Sequence, residues 1–386
     1  MTTKRNVSLE TLMDIDKNID DLVKQIELLS YVNPTNIEEE KSKFFASKYL
    51  TDPNFTYPQI NFDKFNLHRE LFTQPIELIE DPDIRNLYED IIYTYSGLIQ
   101  CIETIGSGKK FYYNCLHCFG TPTEKDVENA KFILHFEDED QNEPRFLPKY
   151  SSKESEAHFK LFSKDYDFNY EISHSKKISA AAMVLNNIKT LVLNENHKFS
   201  DHELKVLNNH EIGVHMVTTM NGLLHPLKIF SHGFPNYEET QEGLAVFAEY
   251  MSNNLTVKRL KELAYRVLAV DSLAKGYDFS KTFRLLHNQF DLDKNSAYYI
   301  TLRVHRGGGF TKDYLYLTGL KKIYDFYKKG NDMSPLLTGK VTLEYLDEIK
   351  SLTKKGLATP AKHYTGAYLE NNNDNETVDF ILENLK

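Results

Sequence analysis

Apolar residues recur at steps of three and four along several separate stretches of the chain. The first stretch runs from residue 8 to residue 29, with charged residues between the apolar ones: Leu12, Ile15, Ile19, Leu22, Ile26 and Leu29. This spacing predicts an amphipathic helix. Barely three heptads without continuation favour a helix docked on its own domain over a coiled-coil dimer. Similar patterns predict helices at 41–49, 76–105, 124–134, 258–274, 279–290 and 295–304.

Two shorter runs, 178–184 and 190–193, have β-like composition and enclose an Asn-Asn pair that suits a turn. They predict a β-hairpin, which we expect to lie beside the helix that follows at 201–222. The acidic run 137–144 interrupts the pattern and is typical of a solvated loop. We place a boundary there, between an N-terminal helical region at 1–140 and a catalytic region at 141–386. The predicted fold class is mainly α with a small β element, α+β.

A well-marked helix begins after Ser200. Ser200 and Glu203 have the spacing of a capping box, which predicts a first helical residue at Asp201. Asn221 and Gly222 predict the end of the same helix. The apolar residues between these limits indicate a helix that is largely buried.

His210, Glu211 and His215 lie inside this helix. Two histidines with an adjacent glutamate are parts of a hydrolytic zinc site, in which Glu211 would act as general base on a water activated by the metal. A five-residue step turns a regular α-helix by about 140°, which would point the two imidazoles apart. A one-turn π-bulge would restore a common side, and Gly213 could accept strained backbone there. The alternative is two ordinary helix histidines, although a buried Glu211 without a partner would be costly.

A second helix is predicted at 237–252, where Glu242 and Glu249 lie seven residues apart and therefore on one face. Glu242 is a candidate third ligand. Glu249 is a candidate for holding an imidazole N–H, or alternatively a surface glutamate. His225 and His232, in the connection between the two helices, are rival ligands.

A cationic cluster surrounds the three glycines at 307–309. Arg303, Arg306 and Lys312 could bind the free carboxylate of a peptide, because a guanidinium matches a carboxylate with two hydrogen bonds. Successive glycines could let a peptide terminus approach the backbone closely. Alternatively, the cations pair with Asp313 or with other nearby carboxylates.

Composition and charge limit the binding partners and the cellular compartment that we expect. The 386 residues carry a net charge of −10, which disfavours nucleic-acid and anionic-membrane partners. The sequence shows no apolar leader and no run of membrane-spanning length, so we expect a soluble, cytoplasmic protein. Three cysteines cannot complete a disulfide framework, and the Cys115-x-x-Cys118 pair has no matching second pair. We therefore interpret these cysteines as structural.

Four segments together resemble one family: 208–215, the Gln-Glu-Gly-Leu-Ala run at 241–245, 303–313 and 316–320. The chain is similar to the microtubule-associated tyrosine carboxypeptidases and their bacterial relatives, the flavohaemoglobin expression-modulating QEGLA motif proteins. The resemblance implies a zincin-like zinc metallopeptidase with a bulged His-Glu-x-x-x-His helix and Glu242 as third ligand. It also implies a carboxypeptidase that removes a C-terminal, tyrosine-like residue. In eukaryotic family members that residue is the C-terminal tyrosine of α-tubulin.

Two other functions remain open from the sequence. One is a non-catalytic regulatory or binding protein on the same scaffold, and the other is a metal-dependent amidase acting on a small substrate. The oligomeric state is not predicted. Candidates for stabilising an oxyanion are Tyr298, Tyr299, Tyr314 and His305.

Overall fold

The computed structural model describes residues 2–178 and 180–386, most of which are helical. The helices before the sheet are α1 (Thr2–Val23), α2 (Leu28–Val32), α3 (Ile37–Ala46), α4 (Lys64–Phe72), α5 (Pro82–Glu103), α6 (Lys109–Phe119), α7 (Glu124–Ile133) and α8 (Ser152–Phe162). Those after it are α9 (Asp201–Leu207), α10 (Val217–Gly222), α11 (Ile229–His232), α12 (Tyr237–Met251), α13 (Val257–Ala274), α14 (Phe279–Arg284), α15 (Lys294–His305), α16 (Leu315–Lys328), α17 (Leu346–Lys354), α18 (Gly366–Glu370) and α19 (Glu376–Asn384). Two π-helical segments, Asn208–Met216 and Leu285–Gln289, interrupt this series. No helix among the described residues is both long and apolar enough to cross a membrane.

A three-stranded sheet consists of β1 (Glu171–Ser175), β2 (Ala182–Leu185) and β3 (Thr190–Asn194), in the order β1-β3-β2. Strands β2 and β3 are antiparallel, with Ala182 opposite Leu193, so the predicted hairpin is confirmed. Strand β1 was not predicted, and it pairs in parallel with β3. The predicted class, mainly α with a small β element, is therefore confirmed.

The N-terminal stretch at residues 8–29 folds as parts of two helices, so the prediction of one continuous helix there is wrong. Helix α1 ends at Val23 and α2 starts at Leu28. The apolar stripe of α1 is nevertheless buried, with Leu12, Ile15 and Ile19 at most 5% exposed. This docking agrees with the predicted packing on the same chain. Nothing in the local sequence marks the break.

One hydrophobic cluster extends from Leu12 to Leu385 and continues across residue 140. A smaller cluster joins the sheet to α8, α9 and the first π segment, and includes Phe159, Leu191 and Ile212. Burying such a side chain contributes roughly 1.5–3 kcal/mol, so this cluster fixes the sheet against the histidine-bearing segment.

The acidic run at 137–144 is more than a solvated loop. The Glu139 carboxylate accepts backbone N–H bonds from Val257 at 2.6 Å and from Lys258 at 3.3 Å, at the start of α13. Asp138 pairs with Lys261 at 2.7 Å. Negative groups at this position satisfy free N–H donors and oppose the positive end of the helix dipole. The run thus anchors α13 to the region that precedes the sheet.

Candidate metal centre

The π segment Asn208–Met216 joins α9 to α10 and contains both motif histidines. Its widened turn places the rings of His210 and His215 together, with centroids 5.0 Å apart and planes at 75°. The predicted π-bulge is confirmed. The strain expected at Gly213 is not found, because its φ is not positive and an added Cβ would approach no atom closer than 3.5 Å.

Donors from distant segments hold the carbonyl groups of the π segment. The Thr365 hydroxyl donates to the Gly213 carbonyl at 2.6 Å, and Lys340 Nζ donates to the His215 carbonyl at 2.8 Å. Lys340 also lies 3.0 Å from the Thr218 hydroxyl, which donates to Gln241 Oε1 at 2.8 Å. Burial lowers the pKa of Lys340 to about 7. These contacts tie the widened turn to α12.

The helix that carries His210 and His215 begins at Asp201 and ends at Gly222, as predicted. The interactions at both ends differ in part from those expected. The Ser200 hydroxyl caps the helix by accepting the Glu203 N–H at 3.1 Å. The Glu203 carboxylate binds His197 at 2.8 Å, so the reciprocal half of the expected capping box is absent. Helix α10 ends at Gly222, where an added Cβ would lie 2.4 Å from the Phe230 carbonyl oxygen. Close packing explains this glycine.

Three atoms converge between the π segment and α12: His210 Nε2, His215 Nε2 and Glu242 Oε2. The carboxylate oxygen lies 3.8 Å from His210 Nε2 and 3.6 Å from His215 Nε2. Ligands of tetrahedral zinc lie roughly 3.4 Å apart, given bonds of about 2.0–2.1 Å. Glu242 Oε2 is buried and has no hydrogen-bond partner. The donor set and its spacing therefore fit a zinc ion.

The protonation states of His215 and Glu242 also suit a cation. Burial lowers the pKa of His215 to about 4, which keeps the imidazole neutral. Burial opposes ionisation of Glu242, but the Lys312 ammonium and His215 outweigh it and hold the pKa of this carboxyl well below its ordinary value. Neutral imidazole and ionised carboxylate are the forms that bind a metal.

Glu249 holds His210 from behind. Its Oε1 lies 2.8 Å from His210 Nδ1, and the residue is 0% exposed, so the alternative of a surface glutamate is wrong. Arg259 bonds both carboxylate oxygens, at 3.2 and 3.3 Å. Burial raises the pKa of Glu249, but Arg259 and His210 lower it by more, so the group is ionised. This contact directs His210 Nε2 towards Glu242.

Glu211 lies beside the cluster and outside the set of converging atoms. Its Oε2 accepts the backbone N–H of Val184 at 3.1 Å, so the hairpin borders the site as predicted. Burial raises the pKa of Glu211 to about 7, and the nearby Glu242 carboxylate acts in the same direction. A carboxyl with this pKa can take up and release a proton near neutral pH.

The three cations proposed to bind substrate already have partners. Arg303 makes two hydrogen bonds to Asp313, and Lys312 makes an ion pair with Glu242 Oε1. Arg306 Nη1 bonds Asn33 Oδ1 at 2.5 Å, and its guanidinium lies over a ring, 4.8 Å from the Phe310 centroid. The alternative of pairing with Asp313 and nearby carboxylates is therefore observed for Arg303 and Lys312.

The glycine run does not open towards a ligand as expected. Gly307, Gly308 and Gly309 all have positive φ, between 72° and 132°. Side chains added at Gly307 and Gly308 would meet Phe111 at 2.4 Å and Gly108 at 2.6 Å. The run therefore serves close packing against the start of α6.

The alternative ligands, His225 and His232, and the cysteines make contacts away from the converging atoms. His225 Nε2 bonds the Thr338 carbonyl at 2.6 Å, and His232 bonds Asp20 at 2.5 Å. Cys101 and Cys118 are free thiols whose sulfurs lie 3.6 Å apart. Within residues 2–178 and 180–386, no second group of three potential ligands accompanies the first.

The candidates for stabilising an oxyanion have other partners as well. The Tyr298 hydroxyl lies 3.5 Å from the Ile37 carbonyl, and the Tyr299 hydroxyl bonds Glu38 at 2.9 Å. The Tyr314 hydroxyl bonds the Phe119 carbonyl at 2.6 Å, and His305 bonds the Thr282 hydroxyl at 2.8 Å.

Sequence reasoning missed Tyr316, Arg266 and Lys340, which all line the cleft at the cluster. The Tyr316 ring is stacked 6.4 Å from the His210 ring, with 16° between the planes. The Arg266 guanidinium lies over the Tyr316 ring, with Cζ 5.0 Å from the ring centroid. Of these three residues, only Tyr316 belongs to a segment on which the family resemblance was based, 316–320.

A mainly helical fold that brings together two histidines and a glutamate beside a carboxyl of raised pKa defines a protein with a candidate metal-dependent hydrolytic site. Residues 42–386 match the family described as "Microtubule-associated tyrosine carboxypeptidase", and the chain belongs to that family.

Two relatives, from mouse and human, share the name "Putative tyrosine carboxypeptidase MATCAP2". The mouse protein is 23% identical over 386 aligned residues, which cover 94% of this chain and 64% of the relative. The human protein is 26% identical over 265 residues, which cover 64% of this chain and 48% of the relative. The chain thus spans less than two thirds of either relative.

Proposed function

We propose that this protein is a zinc-dependent carboxypeptidase that removes a C-terminal tyrosine or similar residue from a peptide or protein. The observation that supports this most is the convergence of His210, His215 and Glu242 beside Glu211. They line a cleft of about 1950 Å³, which has room for a peptide as well as an ion. The family and the names of the relatives suggest the C-terminal tyrosine.

His210, His215 and Glu242 would hold the zinc, which would supply a Lewis acid for a carbonyl oxygen and would make water easier to deprotonate. Glu249 keeps the His210 ring in place for this task. Glu211, anchored through Oε2 by the Val184 N–H, takes a proton from the attacking water. It then passes that proton to the leaving amine.

The test combines metal analysis with two matched peptides. We would measure zinc in natively purified protein, then incubate it with a peptide ending in tyrosine and with the same peptide amidated. We expect about one zinc per chain, the content of a single catalytic site, and tyrosine release from the free acid alone. Protein without bound metal and without cleavage would favour a regulatory binding protein. Equal cleavage of both peptides would contradict a carboxypeptidase.

A further inference from the structure

A buried cluster of charges borders the cleft next to Tyr316. It contains the guanidinium groups of Arg266, Arg303 and Arg306 and the carboxylate of Asp313. Burial opposes ionisation of Asp313, but Arg303 and Arg266 hold the pKa of this carboxyl below its ordinary value. Three guanidinium groups and one carboxylate leave two positive charges in excess, in a chain whose net charge is −10. A cleft wall of this kind attracts an anion.

The contacts of the three arginines differ. Arg303 uses two N–H groups on Asp313. Arg306 has a buried Nε without a hydrogen-bond partner, but its guanidinium bonds Asn33 and the residue is only 4% exposed. Arg266 also has a buried Nε without a partner, but it is partly exposed and has no carboxylate within ion-pair distance among the described residues. Arg266 is therefore the cleft-lining arginine best able to receive an outside carboxylate.

Arg266 is linked to the candidate metal ligands through one aromatic ring. Its Cζ lies 5.0 Å from the Tyr316 ring centroid, and the Tyr316 ring is stacked on that of His210, with centroids 6.4 Å apart. Arg266, Tyr316, His210 and Glu242 all line the same cleft. A carboxylate bound by Arg266 would therefore lie in the cleft that contains the converging ligand atoms.

We propose that Arg266 binds the α-carboxylate of the substrate's C-terminal residue, beside the Tyr316 ring that is stacked on His210. This inference rests on the proposed carboxypeptidase function. A guanidinium can bind a carboxylate through two parallel hydrogen bonds, which are stronger than neutral ones. In this arrangement the Arg303–Asp313 pair supports the cluster, and the role that the sequence suggested for Arg303 passes to Arg266.

Binding can be measured without turnover on a full-length Glu211→Gln background. The probe is a fluorescent peptide ending in tyrosine, used as the free acid and as the amide, with fluorescence anisotropy as the readout. We expect the free acid to bind at least about tenfold more tightly, the contribution of a charge-assisted hydrogen bond. Adding Arg266→Gln should remove this preference. Arg69→Gln, which changes a side chain that is 70% exposed, should leave it intact.

A preference that survives Arg266→Gln, or equal binding of both peptides before that change, would overturn the assignment. If circular dichroism shows that Arg266→Gln is unfolded, Arg266→Lys decides, because lysine keeps the charge but not the two-pronged geometry. An undiminished preference in that variant would also overturn it. The proposed carboxypeptidase function fails separately: a preference that depends on Arg266, without tyrosine release by the unsubstituted chain, would keep the receptor and remove the reaction.

Discussion

Gly243 of α12 lies directly against the backbone of Gly319 of α16, since a Cβ added at Gly243 would lie 2.4 Å from the Gly319 carbonyl carbon. A Cβ at Gly319 would lie 2.1 Å from the Glu239 carbonyl oxygen. The two glycines thus allow the helices to touch backbone to backbone. This approach also brings Lys312, just before α16, to the carboxylate of Glu242.

Gly319→Ala should force α12 and α16 apart, because backbone atoms cannot yield as a flexible side chain can. We expect the free energy of unfolding to fall by about 1–3 kcal/mol, the usual cost of overpacking. Urea denaturation measures this change. Gly366→Ala is the matched control, since its added Cβ would approach no atom closer than 4.0 Å. Equal stability of the two variants would contradict the role of the crossing.

Glu211→Gln should keep the fold and the bound zinc but slow peptide cleavage by at least about 100-fold, because the amide cannot accept the proton from water. Single-turnover rates on the tyrosine-ending peptide measure the loss, and metal analysis checks the site. Glu89→Gln, at an exposed position of α5, is the control. Near-normal cleavage by the Glu211 variant would remove it as general base.

His210→Ala should abolish tight zinc binding, since it removes one of the three converging atoms. Glu249→Gln should weaken zinc affinity by about 10- to 100-fold, as expected for a partner that orients a ligand. Competition with a chromogenic chelator gives both affinities. His135→Ala, at an exposed position, should bind like the unsubstituted protein. Unchanged affinity in the Glu249 variant would show that His210 needs no support.

His305 makes a stability prediction that is independent of the metal. Burial lowers the pKa of this imidazole from 6.5 to about 4, so between these values the unfolded chain binds the proton and the folded chain does not. Stability should therefore fall as pH falls through this window, by about 3 kcal/mol at pH 4. Urea titrations of the unsubstituted chain and of His305→Gln measure the difference. Parallel pH curves for the two proteins would contradict this prediction.

Local chemistry explains which parts of the site could be predicted from sequence. The Ser200 cap, the step from His210 to His215 and the seven-residue spacing of Glu242 and Glu249 all depend on residues close together in the chain. Each expresses helix geometry alone. These features predicted the helix limits, the widened turn and the carboxylate behind His210.

The features of the site that were not predicted depend on contacts between residues far apart in the chain. Lys340 reaches the carbonyl of His215 across 125 positions, and no local pattern distinguishes it from other lysines. Arg266 lies in the ordinary amphipathic helix α13, where an arginine is typical of the solvent side. The glycine run was predicted to let a peptide approach its backbone, because sequence alone does not show that Gly108 packs against Gly308. Strand β1 was missed because its partner β3 follows an intervening strand.

The widened turn of the π segment also makes the motif tolerant of one change in length. Deleting one residue between Glu211 and His215 would give the shorter spacing that a regular α-helix accommodates. Because the π turn absorbs its extra residue locally, the helix that follows would keep its direction. Thr218 would then keep Gln241, and Asn221 would keep the carbonyl of His363 that it now bonds at 2.7 Å. A single deletion is therefore an open route between the bulged motif and the regular helix.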